Sequence, residues 1–228
     1  MENYKVLDKE RRFKQFFMAG FFVIILLGGW YYPVIGYFMP LCMFLAMGIG
    51  LFRGRKWCDW FCPRGSFFEV LIKHISPKNK IPRFLKGLPL RIGFLSFLML
   101  LMITQIIKLW PDLKKIGMFF AVQLSITTLL GVVLALIFHQ RSWCCFCPIG
   151  SMANWAGRQK YPLRIDSGLC TDCGLCYKVC PIQIAPYKFK KEGFETVKNG
   201  DCLKCRLCVS ACPKKALSLG DDELKQRR

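Results

Sequence analysis

Eight of the fourteen cysteines fall into two copies of one pattern. "CTDCGLCYKVCP" sets Cys170, Cys173, Cys176 and Cys180 at C-x2-C-x2-C-x3-C-P. "CLKCRLCVSACP" repeats it 32 residues later with Cys202, Cys205, Cys208 and Cys212. Three thiolates so close together can take three corners of one iron–sulfur cubane, while the fourth points away to the other copy. The spacing therefore assigns Cys170, Cys173, Cys176 and Cys212 to one [4Fe-4S] cluster, and Cys202, Cys205, Cys208 and Cys180 to a second. Zinc is the competing reading, but zinc sites use pairs of C-x2-C rather than runs of four ending in Cys-Pro. Proline after the fourth cysteine suits the first turn of a helix. Gly174 lets the backbone approach sulfur closely, where the second copy has Arg206 instead.

A looser repeat holds five more cysteines. "LFRGRKWCDWFCPRGSF" (51–67) aligns with "IFHQRSWCCFCPIGSM" (137–152) after a one-residue deletion. Arg55 matches Arg141, Trp57 matches Trp143, Cys58 matches Cys144, and Cys62-Pro63 matches Cys147-Pro148. If the two copies pack as a pseudo-dimer, Cys58, Cys62, Cys144 and Cys147 meet and can hold a third metal centre. The deletion leaves Cys145 as an alternative ligand to Cys144. Arg53, Arg55, Lys56, Arg64 and Arg141 would offset its negative charge. Two rivals stay open: a catalytic dithiol, since a reducing cytoplasm opens a permanent disulfide, and loops shaped by cysteine without metal.

The elements that must position these cysteines are apolar helices. Gln15 to Phe52 runs 38 residues without a charge, too long for one span of about 20, and "GGWYYP" breaks it. Two further runs, Ile92–Ile107 and Ile116–Phe138, flank "LWPDLKK". We expect transmembrane helices at about 13–30, 34–52, 90–109 and 116–138, forming two duplicated hairpins. A cleaved leader does not fit, because a second apolar segment follows the first at once. Five Lys/Arg lie in residues 1–14, ten in 53–91 and sixteen in 139–228, against three in the opposite turns. That asymmetry predicts cytoplasmic N and C termini in a bacterial or archaeal-type cytoplasmic membrane, with every cysteine but Cys42 on that side. Cys42 reads as a small buried hydrophobe. Acids and bases are absent from the helix centres, which argues against an ion path. Phe67, Phe68, Leu71, Ile72 and Ile75 predict an amphipathic helix lying in the interface. "PYKFKKEGFETV" predicts a hairpin-like insert. The expected fold is mainly α: a four-helix transmembrane domain (1–164), then an α+β two-cluster domain (165–228).

The tail resembles the two-cluster bacterial ferredoxins. Four membrane helices, Cys-Pro motifs after the second and fourth, and such a tail together resemble the NapH family. These are membrane iron–sulfur subunits of quinol dehydrogenase modules, related to the membrane parts of NosR-like and CcoG-like proteins. Within these 228 residues neither an N-terminal flavin-binding domain of the NosR kind nor an appended domain of the CcoG kind is expected. Its second motif departs from the family's usual C-x3-C-P. The resemblance implies electron exchange between the quinone pool and a protein redox partner or further subunits. His139 is the better of the two histidines for a quinone hydrogen bond. Haem is not expected, since no C-x-x-C-H occurs and only His74 and His139 could ligate it. A CcoG-like role in copper reduction or oxidase maturation is the alternative. The net charge of +20 is explained by topology, so no nucleic-acid partner is expected.

Overall fold

The computed structural model describes residues 2–77, 79–157, 160–191 and 193–220. Four of its helices have the length and apolarity to cross a membrane. They are α1 (Glu2–Tyr31), α2 (Phe38–Arg53), α5 (Leu88–Leu109) and α6 (Leu113–Ile137). Three lie close to the expected spans. The first begins eleven residues earlier, because its charged turns pair along the helix: Arg12 with Asp8 at 2.8 Å and Lys14 with Glu10 at 2.7 Å. Such i,i+4 pairs support helix. Hydrophobic side chains such as Phe16, Ile24 and Leu27 are exposed along α1, as a lipid-facing surface requires.

Each hairpin is followed by a pair of short helices. The first pair is α3 (Lys56–Trp60) and α4 (Pro63–Val70), and the second α7 (Ser142–Phe146) and α8 (Pro148–Ala156). Arg55 and Arg141 stand at matching starts. Cys58 N–H donates to Arg55 O and Cys144 N–H to Arg141 O, both at 3.1 Å. Cys62 N–H and Cys147 N–H donate to the carbonyls of Trp57 and Trp143 at 2.9 and 3.0 Å. The duplication is thus present bond by bond, and Cys144 rather than Cys145 takes the place of Cys58. Pro63 and Pro148 open helices, where a missing N–H costs nothing. α4 packs on α1 and α6, and α8 packs on α2 and α5, as a pseudo-twofold relation demands. Gly157 presses against the Gly50 carbonyl, and Gly36 against that of Gly117, so a Cβ at either would collide with backbone.

The expected interfacial helix is corrected here. α4 is inserted among the spanning helices, with Ser66, Phe68 and Glu69 buried, and only Leu71 and Ile75 of the apolar set are exposed. Its buried Glu69 takes Arg141 as a partner at 2.8 Å, which an interface-lying helix would leave in water.

The tail forms a three-stranded antiparallel sheet in the order β2-β1-β3. The strands are β1 (Leu163–Asp166), β2 (Phe194–Thr196) and β3 (Leu217–Leu219). Ile165 pairs with Glu195 on one side and Leu217 on the other. Two short helices, α9 (Leu175–Lys178) and α10 (Leu207–Ala211), follow the cysteine loops. The expected hairpin-like insert is instead a 3-10 turn, Pro186–Phe189, leading into β2. Pro181 and Pro213 open turns, not helices. The last eight residues of the expected 165–228 domain lie outside the described residues.

Candidate metal centres

The tail cysteines surround two cavities, and each draws its fourth thiol from the other copy. One is lined by Cys170, Cys173, Cys176 and Cys212. The other is lined by Cys202, Cys205, Cys208 and Cys180. The 32-residue repeat is also written in the backbone. Left-handed residues recur in pairs at that spacing: Tyr161 and Gly193, Asp172 and Lys204, Gly174 and Arg206, Gln183 and Lys215. Arg206 adopts φ +67° where Gly174 has φ +72°, so the second loop keeps the turn at the strain a side chain brings there. Ile184 N–H donates to Cys180 Sγ and Ala216 N–H to Cys212 Sγ, both at 3.3 Å. Such donors stabilise thiolate and any metal bound to it. Burial pushes the Cys180 thiol up to about 11 and raises Cys205 and Cys208 well above the usual thiol value. A ligand that removes these protons must compensate with bonds to sulfur.

The four membrane-domain cysteines converge. Cys58, Cys62, Cys144 and Cys147 line one cavity of about 730 Å³, counted with its open side. Phe22 and Ile25 of α1 and Leu124 of α6 also line it, so it lies inside the bundle rather than at its edge. Cys42, read from sequence as a bystander, is on its wall. Cys145 is not: its thiol donates to Arg141 O at 3.7 Å and packs with Phe68, Trp143 and Phe146. Among the described residues, no three His, Cys, Asp or Glu side chains close around a point as ligands to a single ion. The thiols stand around a space instead, and this donor set fits a thiolate-bound cluster better than one tetrahedral ion.

Three arginines serve this cavity. Arg64 donates to Cys147 Sγ at 3.4 Å and to Thr127 Oγ1 at 3.0 Å, with its guanidinium 4.6 Å from the Trp143 ring. Arg55 reaches across to the Cys144 carbonyl at 2.5 Å, and Arg141 reaches back to the Cys58 carbonyl at 3.3 Å. This exchange follows the pseudo-twofold. Gly65 and Gly150 make room for it, since a Cβ at Gly65 would lie 3.1 Å from Arg141 and one at Gly150 2.7 Å from Arg55. Arg53 is exposed and Lys56 faces the Trp60 ring, so these two of the five expected cations stand apart.

Carboxylates that the motif reading passed over hold the arginines. Asp59, fully buried, accepts from Arg11 at 2.7 and 2.9 Å and from Arg141 at 3.1 Å. Burial alone would raise the Glu69 carboxyl, but Arg141, Arg11 and Lys73 hold it well below the usual range. Asp201, next to Cys202, accepts from Arg55 at 3.0 Å and Arg91 at 2.6 Å. It therefore ties the tail to the membrane domain. Two signals were available: Asp59 is the only acid in "RKWCDWFCPRG", and Asp201 directly precedes a ligand-type cysteine.

The tail site holding Cys205 faces the membrane domain, for Cys205 lies within electrostatic reach of Asp59 and Arg11. Cys58 both lines the membrane cavity and joins the tail's apolar core with Leu163, Ile182 and Leu203. The Cys170 site is at the far end, where Cys173 is exposed. His139 lines neither the Cys58 cavity nor the tail cavities. Its Nδ1 accepts from the Arg141 backbone N–H at 3.2 Å, and burial lowers it to about 4, so it stays neutral.

Comparisons with known proteins agree with this arrangement. A family model described as a 4Fe-4S binding domain matches residues 35–82 and 121–165, the two Cys-Pro halves. A 4Fe-4S dicluster domain matches residues 162–213. The chain is 29% identical over 160 residues to YccM of Escherichia coli, named as a candidate electron transport protein; the match covers 60% of this chain and 44% of YccM. It is 29% identical over 141 residues to MauN, a methylamine utilization ferredoxin-type protein of Methylobacillus flagellatus, covering 58% and 50%. An uncharacterised Methanocaldococcus jannaschii protein is 24% identical over 146 residues, covering 61% and 56%. The chain thus spans about half the length of these curated relatives. No solved structure matches. The chain is a 4Fe-4S-binding, multi-pass membrane protein of the ferredoxin type, related to the NapH, YccM and MauN proteins.

Proposed function

We propose that the chain carries electrons between a lipid-soluble quinone and a redox protein at the cytoplasmic face, as the electron-transfer subunit of a quinol dehydrogenase-type complex. The observation that supports this most is the position of Cys58, shared between the membrane cavity and the tail core. That contact supports a route from the bundle interior through the tail to the exposed Cys173. In this reading Cys58, Cys62, Cys144 and Cys147 hold a membrane cluster. Cys202, Cys205, Cys208 and Cys180 hold the next, and Cys170, Cys173, Cys176 and Cys212 the outermost. Iron–sulfur clusters supply one-electron transfer at potentials set by charge, hydrogen bonds and burial. The protein's part is position and field. Arg55, Arg64 and Arg141 place positive charge around the membrane thiols, and Asp201 fixes the tail against them. The excess of Lys/Arg in the N terminus, central loop and tail supports their cytoplasmic placement.

The test is anaerobic mixing of the full-length protein in nanodiscs with a short-tailed hydroquinone, and of the reduced protein with the matching quinone. Bleaching or recovery of the iron–sulfur absorbance in either direction is expected. No change in either direction, with dithionite still able to bleach it, overturns the proposal.

A further inference from the structure

A second cavity adjoins the thiol cavity inside the bundle. It occupies about 490 Å³, counted with its open side, and shares Met39, Arg64, Trp143 and Ile149 with the first. Its own wall is mostly apolar. Met43 comes from α2, Leu98, Met99 and Met102 from α5, and Phe120 from α6. α2 and α5 do not pack extensively on each other, so methionines from both line the space that separates them. Neighbouring α5 residues Phe97, Leu100 and Ile103 are exposed on a lipid-type surface.

Two polar atoms stand out in this setting. Gln123 and Trp143 both line the cavity and are 6% and 2% exposed. Among the described residues, neither the Gln123 Oε1 nor the Trp143 Nε1 has a hydrogen-bond partner. Leaving such a buried group without a partner is unfavourable. One is an acceptor and the other a donor. Other polar groups on the wall are committed: Thr127 Oγ1 donates to the Gln123 or Leu124 carbonyl, and Arg64 spans Thr127 and Cys147. Among the described residues no carboxylate or lysine lines the cavity, so a charged ligand meets no counter-charge there beyond Arg64. The complement is a flat, neutral, lipid-soluble ring that carries both an O–H donor and an oxygen acceptor.

We propose that this space between α2, α5 and α6 binds the ring of a hydroquinone or quinone, with Gln123 and Trp143 as its polar partners. The hydroxyl of a hydroquinone donates to Gln123 Oε1, and Trp143 Nε1–H donates to a ring oxygen. The methionines adapt to the ring and its substituents. Arg64 then separates the ring from Cys147. This inference rests on the quinone reading above and moves its polar contact from His139 to Gln123 and Trp143.

The test uses full-length protein in nanodiscs and a short-tailed azidoquinone. Equilibrium binding and light-driven labelling are measured for wild type, Gln123→Met and Leu98→Phe. Gln123→Met removes the acceptor at similar volume, while Leu98→Phe fills the cavity without touching the thiol wall. Iron content equal to wild type shows that each variant has folded. Gln123→Met should weaken binding about tenfold, the loss of one buried hydrogen bond. Leu98→Phe should weaken it at least as much, and label should fall on α5 or α6 peptides. If wild type binds and both variants bind equally well, the site is wrong while the quinone reading stands. If wild type itself binds no quinone, both fall.

Discussion

Replacing Asp201 by Ala should loosen the tail from the membrane domain. The Asp201 carboxylate is 13% exposed and pairs with Arg55 and Arg91, which are 2% and 7% exposed. Removal leaves two buried guanidinium groups short of a counter-charge. Breaking a buried pair costs about 3–5 kcal/mol. Because Asp201 is not fully dry, and Arg55 keeps the Cys144 carbonyl, we take the lower end, about 3 kcal/mol. That is about a hundredfold increase in the undocked population. Other contacts still hold the tail, among them Lys86 to the Ile182 carbonyl at 3.0 Å and Gln183 to the Asn79 carbonyl at 3.0 Å. The tail should therefore open more often without unfolding. The Ile81 N–H reports this directly, because it donates to the tail's Gln183 Oε1 at 2.9 Å. Hydrogen exchange in a peptide covering Ile81 should accelerate about a hundredfold, while α6 amides keep their rates. Unchanged exchange at Ile81 would refute the idea that Asp201 clamps the two parts together.

Asp59→Ala should be the more damaging change, since it removes the fully buried carboxylate that Arg11 and Arg141 share and leaves Glu69 to serve both; a loss of about 3–5 kcal/mol, read as a lower midpoint of thermal unfolding in detergent, is expected. Cys180→Ser should abolish the spectroscopic signal of the site lined by Cys202, Cys205 and Cys208 and spare that of the Cys170 site; the reverse pattern would undo the crossed assignment. Thiol binding should be proton-coupled. Burial holds Cys180 up near 11, so the thiol is protonated at neutral pH and gives up its proton on ligation. Cadmium affinity of the cluster-free protein, followed by thiolate charge-transfer absorbance, should rise as pH goes from 7 toward 9, and a flat profile would contradict the raised thiol.

The cysteines were legible because their chemistry is local. A C-x2-C-x2-C run closes on one loop whatever surrounds it, and the 32-residue period fixes where the fourth thiol comes from. The spanning helices were legible because lipid demands long apolar runs. The early start of α1 was not, because the charged first turns read as a loop, and beyond the local pairs Arg11 is held by Asp59, 48 residues away. The same distance effect hid the burial of α4, whose Glu69 finds Arg141 only once the duplicated halves meet. The deletion between Cys58-type and Cys62-type positions left two alignments open in sequence. Backbone hydrogen bonds at Arg141 and Trp143 choose between them and put Cys145 on the apolar side. β2 was missed because its three residues pair with β1 across a stretch whose lysines look like a solvated loop.

In the proposed reading the membrane thiols hold a third cluster beside the two in the tail. The most direct measurement is iron and sulfide per chain, with EPR, on anaerobically purified full-length protein. It is compared with a variant in which Cys58, Cys62, Cys144 and Cys147 are all Ser. Three clusters predict about twelve irons in the first and about eight in the second, with the tail signals unchanged. Equal iron and identical spectra in the two proteins would contradict the account.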